Sequence, residues 1–216
     1  KGQLYYFLGN FSQADTLRKE ALRILTSATG KNNIDRTEIL NGLGMLYGRL
    51  EEHEASIKYY NESLQIREQN LGKYHLDVAG SLVNISHEYD DMDMFETALE
   101  KLDSAIVIFV KINQTGHRFF INAKMSLARI FRKIERFNEA ESIYLELLKN
   151  PAISAETNVK QYTNILHSLG FLYESMGRYE EGKNIYNEAL TKRALVFGKK
   201  SPQYYETLLN LGNIYF

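Results

Sequence analysis

The sequence repeats itself every 42 residues along its whole length, and few folds can accommodate that. One column holds Gly2, Gly44, Ser86, Ala128, Gly170 and Gly212; three residues on, a second holds Tyr5, Tyr47, Tyr89, Phe131, Tyr173 and Tyr215. Further columns are Phe11, His53, Phe95, Phe137, Tyr179; Ala14, Ser56, Ala98, Ala140, Gly182; and Leu22, Leu64, Ile106, Leu148, Leu190. Small residues stay small and aromatic residues stay aromatic. Self-similarity at a fixed period marks a solenoid, whose stacked units bury their apolar faces only against one another.

Residues 36–72 show what each unit contains. Leu40, Leu43, Leu46 and Tyr47 recur at helical spacing around Gly44; after a break at Leu50 to Glu52, a second stripe runs through His53, Ser56, Ile57, Tyr60 and Leu64. Steps of three and four predict a pair of amphipathic helices. Glycine within a helix costs about 1 kcal/mol against alanine, so the small columns need a packing reason. Close approach of two helix backbones is the expected one. Gly30, Gly72 and Gly198 stand where helices should stop. Pro151 should follow a helix ending at Lys149 or Asn150, and Ser201-Pro202 forms an N-cap with proline at the first helical position.

The stretch Leu169-Gly170-Phe171-Leu172-Tyr173, then Met176-Gly177-Arg178-Tyr179-Glu180-Glu181-Gly182, then Ala189-Leu190, resembles the tetratricopeptide repeat. The usual unit has 34 residues. The longer period is similar to the kinesin light chain type, whose units end in Gly-x-x-His-Pro. Gly72-Lys73-Tyr74-His75-Leu76-Asp77-Val78-Ala79 follows that pattern, and Gly198-Lys199-Lys200-Ser201-Pro202 follows it less well. The resemblance covers essentially the whole chain. It implies an all-α, right-handed superhelical α-solenoid of about five antiparallel helix pairs, with units near 1–33, 34–75, 76–117, 118–156 and 157–200 and a partial one at 201–216. Leu147 interrupts a small column, and Lys149 to Val159 lacks the glycine linker, so the fourth unit is expected to pack at a different angle. Lys1 begins inside a first helix and Phe216 follows the last aromatic column, which suggests an excerpt of a longer protein, or open ends that pair with a second copy.

Composition narrows the function. The net charge is −1, so no overall field draws the chain to nucleic acid. The longest strongly apolar run, Ala105 to Val110, is far too short to span a membrane. The chain has no cysteine, which removes thiolate nucleophiles and zinc–cysteine sites and fits a reducing, cytoplasmic setting. No cofactor motif or catalytic constellation emerges. His87-Glu88 lacks the second histidine of a zinc helix. Asp90-Asp91-Met92-Asp93 lacks the glycine and distal glutamate of a calcium loop and is better read as a polar helix end. His53 falls in an aromatic column and is expected to be a packed ring; His75 falls in a linker and is expected to be structural.

In the resembled fold the first helices line a concave groove. The lining positions become Asn41, Met45, Gly48 and Arg49; Val83, Asn84, His87, Asp90 and Asp91; Met125, Arg129, Arg132 and Lys133; His167, Phe171, Glu174 and Ser175; and Leu209, Asn210 and Asn213. Arg129, Arg132, Lys133 and Arg136 form a basic stripe that either docks acidic or phosphorylated peptide residues or is neutralised by Asp90, Asp91 and Glu174. The lysine–asparagine clamp for C-terminal carboxylates is not matched. The expected function is a non-catalytic scaffold that binds a peptide or a segment of a partner protein; the alternative is a regulatory module of a larger protein, such as one fused to a caspase-like peptidase.

Overall fold

A computed structural model describes residues 2–153 and 158–215. Expectations that fall on Lys1, Phe216 and residues 154–157 of the 149–159 connector lie outside the described residues. The described residues fold into helices with no strand. In one unit, which runs to Thr115, α1 (Gly2–Phe7) pairs with α2 (Phe11–Thr29), α3 (Arg36–Arg49) with α4 (His53–Leu71), and α5 (Leu76–Asp91) with α6 (Phe95–Lys111). A second unit begins at Gly116. There α7 (Arg118–Lys133) pairs with α8 (Phe137–Leu148), a 3-10 turn covers Pro151–Ile153, α9 (Val159–Ser175) pairs with α10 (Tyr179–Phe197), and α11 (Pro202–Asn213) packs on α10.

The helices begin and end where local chemistry directs. Asn10, Asn158 and Ser201 accept hydrogen bonds from the backbone N–H three residues on. His75 and His117, one period apart, cap α5 and α7 instead, each ring Nδ1 accepting from the N–H two residues ahead at 3.2 Å. Gly30, Gly72 and Gly198 stop α2, α4 and α10 with φ of 81 to 85° and ψ of 155 to 172°, a region closed to residues with a Cβ. The turn inside each pair is periodic as well: Gly9, Glu51, Asp93, Glu135 and Gly177 all hold φ between 56 and 74°. Three of the five tolerate the left-handed region without being glycine. Asp90 and Asp91 close α5 just before that turn. Helix α8 stops at Leu148, one residue before the expected end, and Leu147 is buried.

The two small columns have different causes. A Cβ at Gly44 would stand 2.7 Å from the ring of Tyr60, and one at Gly170 would stand 2.6 Å from that of Tyr186. These glycines therefore seat a tyrosine ring, where a close backbone approach was expected. The expected approach occurs in the other small column. Ser56 Oγ donates to the Gly44 carbonyl at 2.8 Å, and a Cβ at Gly182 would lie 3.3 Å from the Gly170 carbonyl. The core between paired helices is apolar, with Leu40, Leu43, Leu46, Ile85, Leu102, Ile121, Ile130, Leu169 and Leu172 at or near zero exposure.

Candidate functional site

The outward faces of the first helices carry the candidate residues, and two register positions stay outward from repeat to repeat. Met45, Arg129, Phe171 and Asn213 are exposed and His87 is half-buried; four residues on, Arg49, Asp91, Lys133 and Ser175 are exposed. A spacing of four puts these two positions on one helix face. In the second unit this face gathers the densest chemistry. Arg129, Arg132 and Lys133 lie along the last turns of α7, and the Arg132 guanidinium stacks 4.4 Å from the centroid of the Phe171 ring on α9. Phe171 is 39% exposed and Met125, one turn before Arg129, is half-buried. Beneath them the Tyr144 hydroxyl bonds Ser168; burial pushes that phenol up, against Ser168, Arg132 and Arg129, which pull it down.

Other expected lining residues are used inside the fold. Asn41, in the amide orientation that satisfies both neighbours, donates to Ser63 Oγ at 3.0 Å and accepts from Arg67 at 2.5 and 3.1 Å. Val83 and Asp90 are buried, and Asn84 is half-buried. His167 places Nδ1 3.2 Å from Thr207 Oγ1 and Nε2 3.6 Å from Glu206. Burial first, and then the Arg193 charge, lower its affinity for a proton, with Glu206 opposing them. Asn210 bonds the Tyr186 hydroxyl. Arg136 does not continue the basic stripe. Helix α7 has already ended at Lys133, and Arg136 pairs with Glu139 at 2.8 Å and stacks on Phe131 at 4.3 Å. Arg178, one period on, repeats this with Glu181 and Tyr173.

His53 is more than a packed ring. Its Nδ1 lies 2.9 Å from Glu88 Oε2, and Glu88 is buried at a position where other repeats carry Leu46, Ile130 and Leu172. Residues that sequence reasoning passed over also include Arg67 and Arg193. They stand three periods apart in a column otherwise holding Leu25, Phe109 and Pro151, and that recurrence was visible in the sequence. Each reaches from its own helix into the start of the next: Arg67 Nη1 donates to Asp77 O at 3.1 Å and Ser81 Oγ at 2.7 Å, Arg193 Nη1 to Gln203 O at 2.6 Å and Thr207 Oγ1 at 2.5 Å. Among the described residues no cluster of three metal-ligating side chains occurs, and no helix is long and apolar enough to cross a membrane.

The chain matches the family described as tetratricopeptide repeat over residues 1–69, 35–109 and 161–216, and a second description of the same repeat over 125–152. Protein KINESIN LIGHT CHAIN-RELATED 3 of Arabidopsis thaliana is 26% identical over 133 residues, which is 61% of this chain and 20% of that protein. The chain therefore spans about a fifth of that relative. Among solved structures, BtubC (BKLC) from P. vanneervenii superposes with a TM-score of 0.78 at 23% identity, covering 95% of this chain and 81% of that one. The Rap conjugation gene regulator of plasmid pLS20, in complex with the Phr* peptide, superposes with a TM-score of 0.69 at 13% identity, covering 98% and 61%. At these identities both likenesses concern the fold.

Proposed function

The chain belongs to the tetratricopeptide repeat family, a protein-interaction scaffold fold, and we propose from that premise that it is a non-catalytic scaffold holding a peptide or segment of a partner protein on the outward faces of its first helices. The observation that carries this reading is the Arg132–Phe171 stack flanked by Arg129 and Lys133. A guanidinium lying on a ring keeps its N–H edge for a carboxylate or phosphate, while the ring and Met125 offer apolar anchors. Acidic or phosphorylated residues of an extended or helical peptide supply the complement. The peptide carried by the Rap regulator supports a peptide ligand for a fold of this kind. Within the first unit Met45 and His87 hold the equivalent register, with Asn41 and Asn84 as further candidate contacts there; His167 and Asn210 are further candidates in the second. The net charge of −1 argues against a nucleic-acid ligand, and the absence of cysteine supports a cytoplasmic setting.

Fluorescence anisotropy with a labelled acidic peptide, its phosphorylated form and a basic peptide of the same length tests the reading. The parent should bind the first two. A triple variant, Arg129→Glu, Arg132→Glu and Phe171→Ala, should bind at least about tenfold more weakly, a loss of about 1.4 kcal/mol, at unchanged helicity. Equal binding by parent and variant would remove this patch as the site.

A second reading, a regulatory module within a larger protein, draws on the likeness to a gene regulator. A catalytic or signalling domain joined to these repeats in the full gene product, and responsive to occupancy of the patch, would favour it.

A further inference from the structure

In the first unit a groove of about 340 Å³ opens between α2 and α4, and Arg36, the first residue of α3, is part of its lining. Other repeats fill the Arg36 column with Val78, Phe120, Tyr162 and Tyr204, so a charged group here replaces an apolar or aromatic one. Arg36 is only 4% exposed, and a buried charge needs partners to offset its lost hydration. Its Nη1 donates to the Lys31 carbonyl and its Nη2 to Glu62 at 2.5 Å, but its Nε is buried without a hydrogen-bond partner among the described residues. Two more cations line the groove from α2. Lys19 stands where other repeats have Asn61, Asp103, Leu145 and Asn187, and Arg23 where they have Gln65, Val107, Lys149 and Thr191. Departures from a local rule concentrate at functional sites, and three of them meet in this groove.

We propose that this groove binds a phosphomonoester, with its phosphate among Lys19, Arg23 and Arg36 and its organic stem along Leu22 and Thr26. Each cation already has a carboxylate beside it. Lys19 meets Asp15 at 2.9 Å and Arg23 meets Glu20 at 2.8 Å, but both pairs run along the surface of α2. Exposed pairs of this kind are weak and exchange partners with a better anion. Glu62 holds Arg36 more closely, yet its own side chain is 39% exposed and is free to turn toward water. A ligand must therefore outcompete carboxylates, which a second carboxylate does poorly. A phosphate does it better, because it brings three acceptor oxygens and close to two negative charges that match the planar fork of arginine. The groove is also larger than a bare phosphate needs and falls within the range of small-ligand pockets. Its half-buried Leu22 gives an apolar stem a surface to cover. The site lies within the first unit and does not depend on the α7–α9 patch.

Titration calorimetry with phenyl phosphate and with benzoate tests the proposal. It is run on the full chain carrying Arg129→Glu, Arg132→Glu and Phe171→Ala, so that the α7–α9 patch contributes nothing and the two sites fail separately. Phenyl phosphate should bind saturably and benzoate should bind more weakly. Adding Lys19→Asn and Arg23→Gln, residues that other repeats place in these columns, should weaken phenyl phosphate by at least about tenfold. Both positions are exposed, so the fold should not change. Arg36→Tyr should abolish binding while circular dichroism stays that of the parent, because Tyr162 joins Glu188 at 2.8 Å in the same two columns. No saturable binding of phenyl phosphate, equal binding of benzoate, or an affinity unaltered by Lys19→Asn with Arg23→Gln would overturn the proposal. A phosphotyrosine peptide that binds more tightly than phenyl phosphate would support it with a partner protein as the source, and equal binding would support it with a small ester.

Discussion

Residues 36–81 and 162–207 lie three periods apart and hold themselves together with the same devices, but matching polar groups are buried to different depths. Both seat a tyrosine ring on a glycine, and both run an arginine into the next helix. Where the first joins Arg36 to Glu62 at 2.5 Å, the second joins Tyr162 to Glu188 at 2.8 Å in the same two columns. Tyr47 and Tyr173 each donate a hydroxyl hydrogen bond to a carboxylate one repeat back, Asp15 at 3.0 Å and Glu141 at 2.9 Å. Burial, followed by that bond, pushes the Tyr173 phenol up to about 12. Each also bonds an asparagine amide, Arg67 that of Asn41 and Arg193 that of Asn164, but Arg193 is only 2% exposed whereas Arg67 is half-buried. Burial is the largest influence on both guanidiniums and lowers their proton affinity. A repeat position therefore fixes which groups meet, while the surrounding apolar cover decides how much each meeting matters.

The largest expected effect tests the shared ring seats. Gly44→Val or Gly170→Val should each cost about 3 kcal/mol, because the added carbon overlaps a buried ring. Melting followed by circular dichroism should then show a fall of roughly 6–12 °C. The third repeat places Ser86 in this column and Leu102 in that of the tyrosine. Gly44→Ser with Tyr60→Leu should therefore recover most of the loss that Gly44→Ser alone produces. A double variant no better than the single would break the ring-seat explanation.

Next come the two arginines. Arg193→Ala should destabilise by about 2 kcal/mol, since it empties a buried site and strands the buried Thr207 hydroxyl. Arg67→Ala should cost about half as much. Because Arg193 Nε is buried without a hydrogen-bond partner, Arg193→Met should cost less than Arg193→Ala. Equal losses at 67 and 193 in urea titrations would show that depth of burial is not what separates the two stretches.

A smaller effect is expected in the periodic turn. Glu51→Gly and Glu135→Gly should each stabilise by up to about 1 kcal/mol by relieving left-handed backbone, and Gly177→Ala should destabilise by about the same amount. Chemical denaturation midpoints would report both signs.

The smallest effect is a pH dependence confined to the second stretch. Burial and Arg193 lower the proton affinity of His167, so the folded form binds fewer protons than the unfolded form below the ordinary value of 6.5. Stability should be full above that value and fall as the pH drops through it. His167→Gln should flatten the slope; an unaltered slope would place its origin elsewhere.

The 42-residue period, the helix pairs, the stop glycines and the Ser201 cap were legible in the sequence because they rest on local chemistry and on spacing. The basic and aromatic residues at 129, 132, 133 and 171 were legible as a register, although their stacking was not. What only the tertiary structure decided is where each side chain finds its partner. Asn41, His167 and Asn210 hold the register of outward residues yet bond inward, because hydrogen-bond partners on the adjoining helix lie within reach. Column composition could not separate a glycine that seats a ring from one that admits a backbone, since both demand only the absence of a side chain. Periodicity specifies which positions recur, whereas packing against the next helix specifies which of them remain available to a ligand.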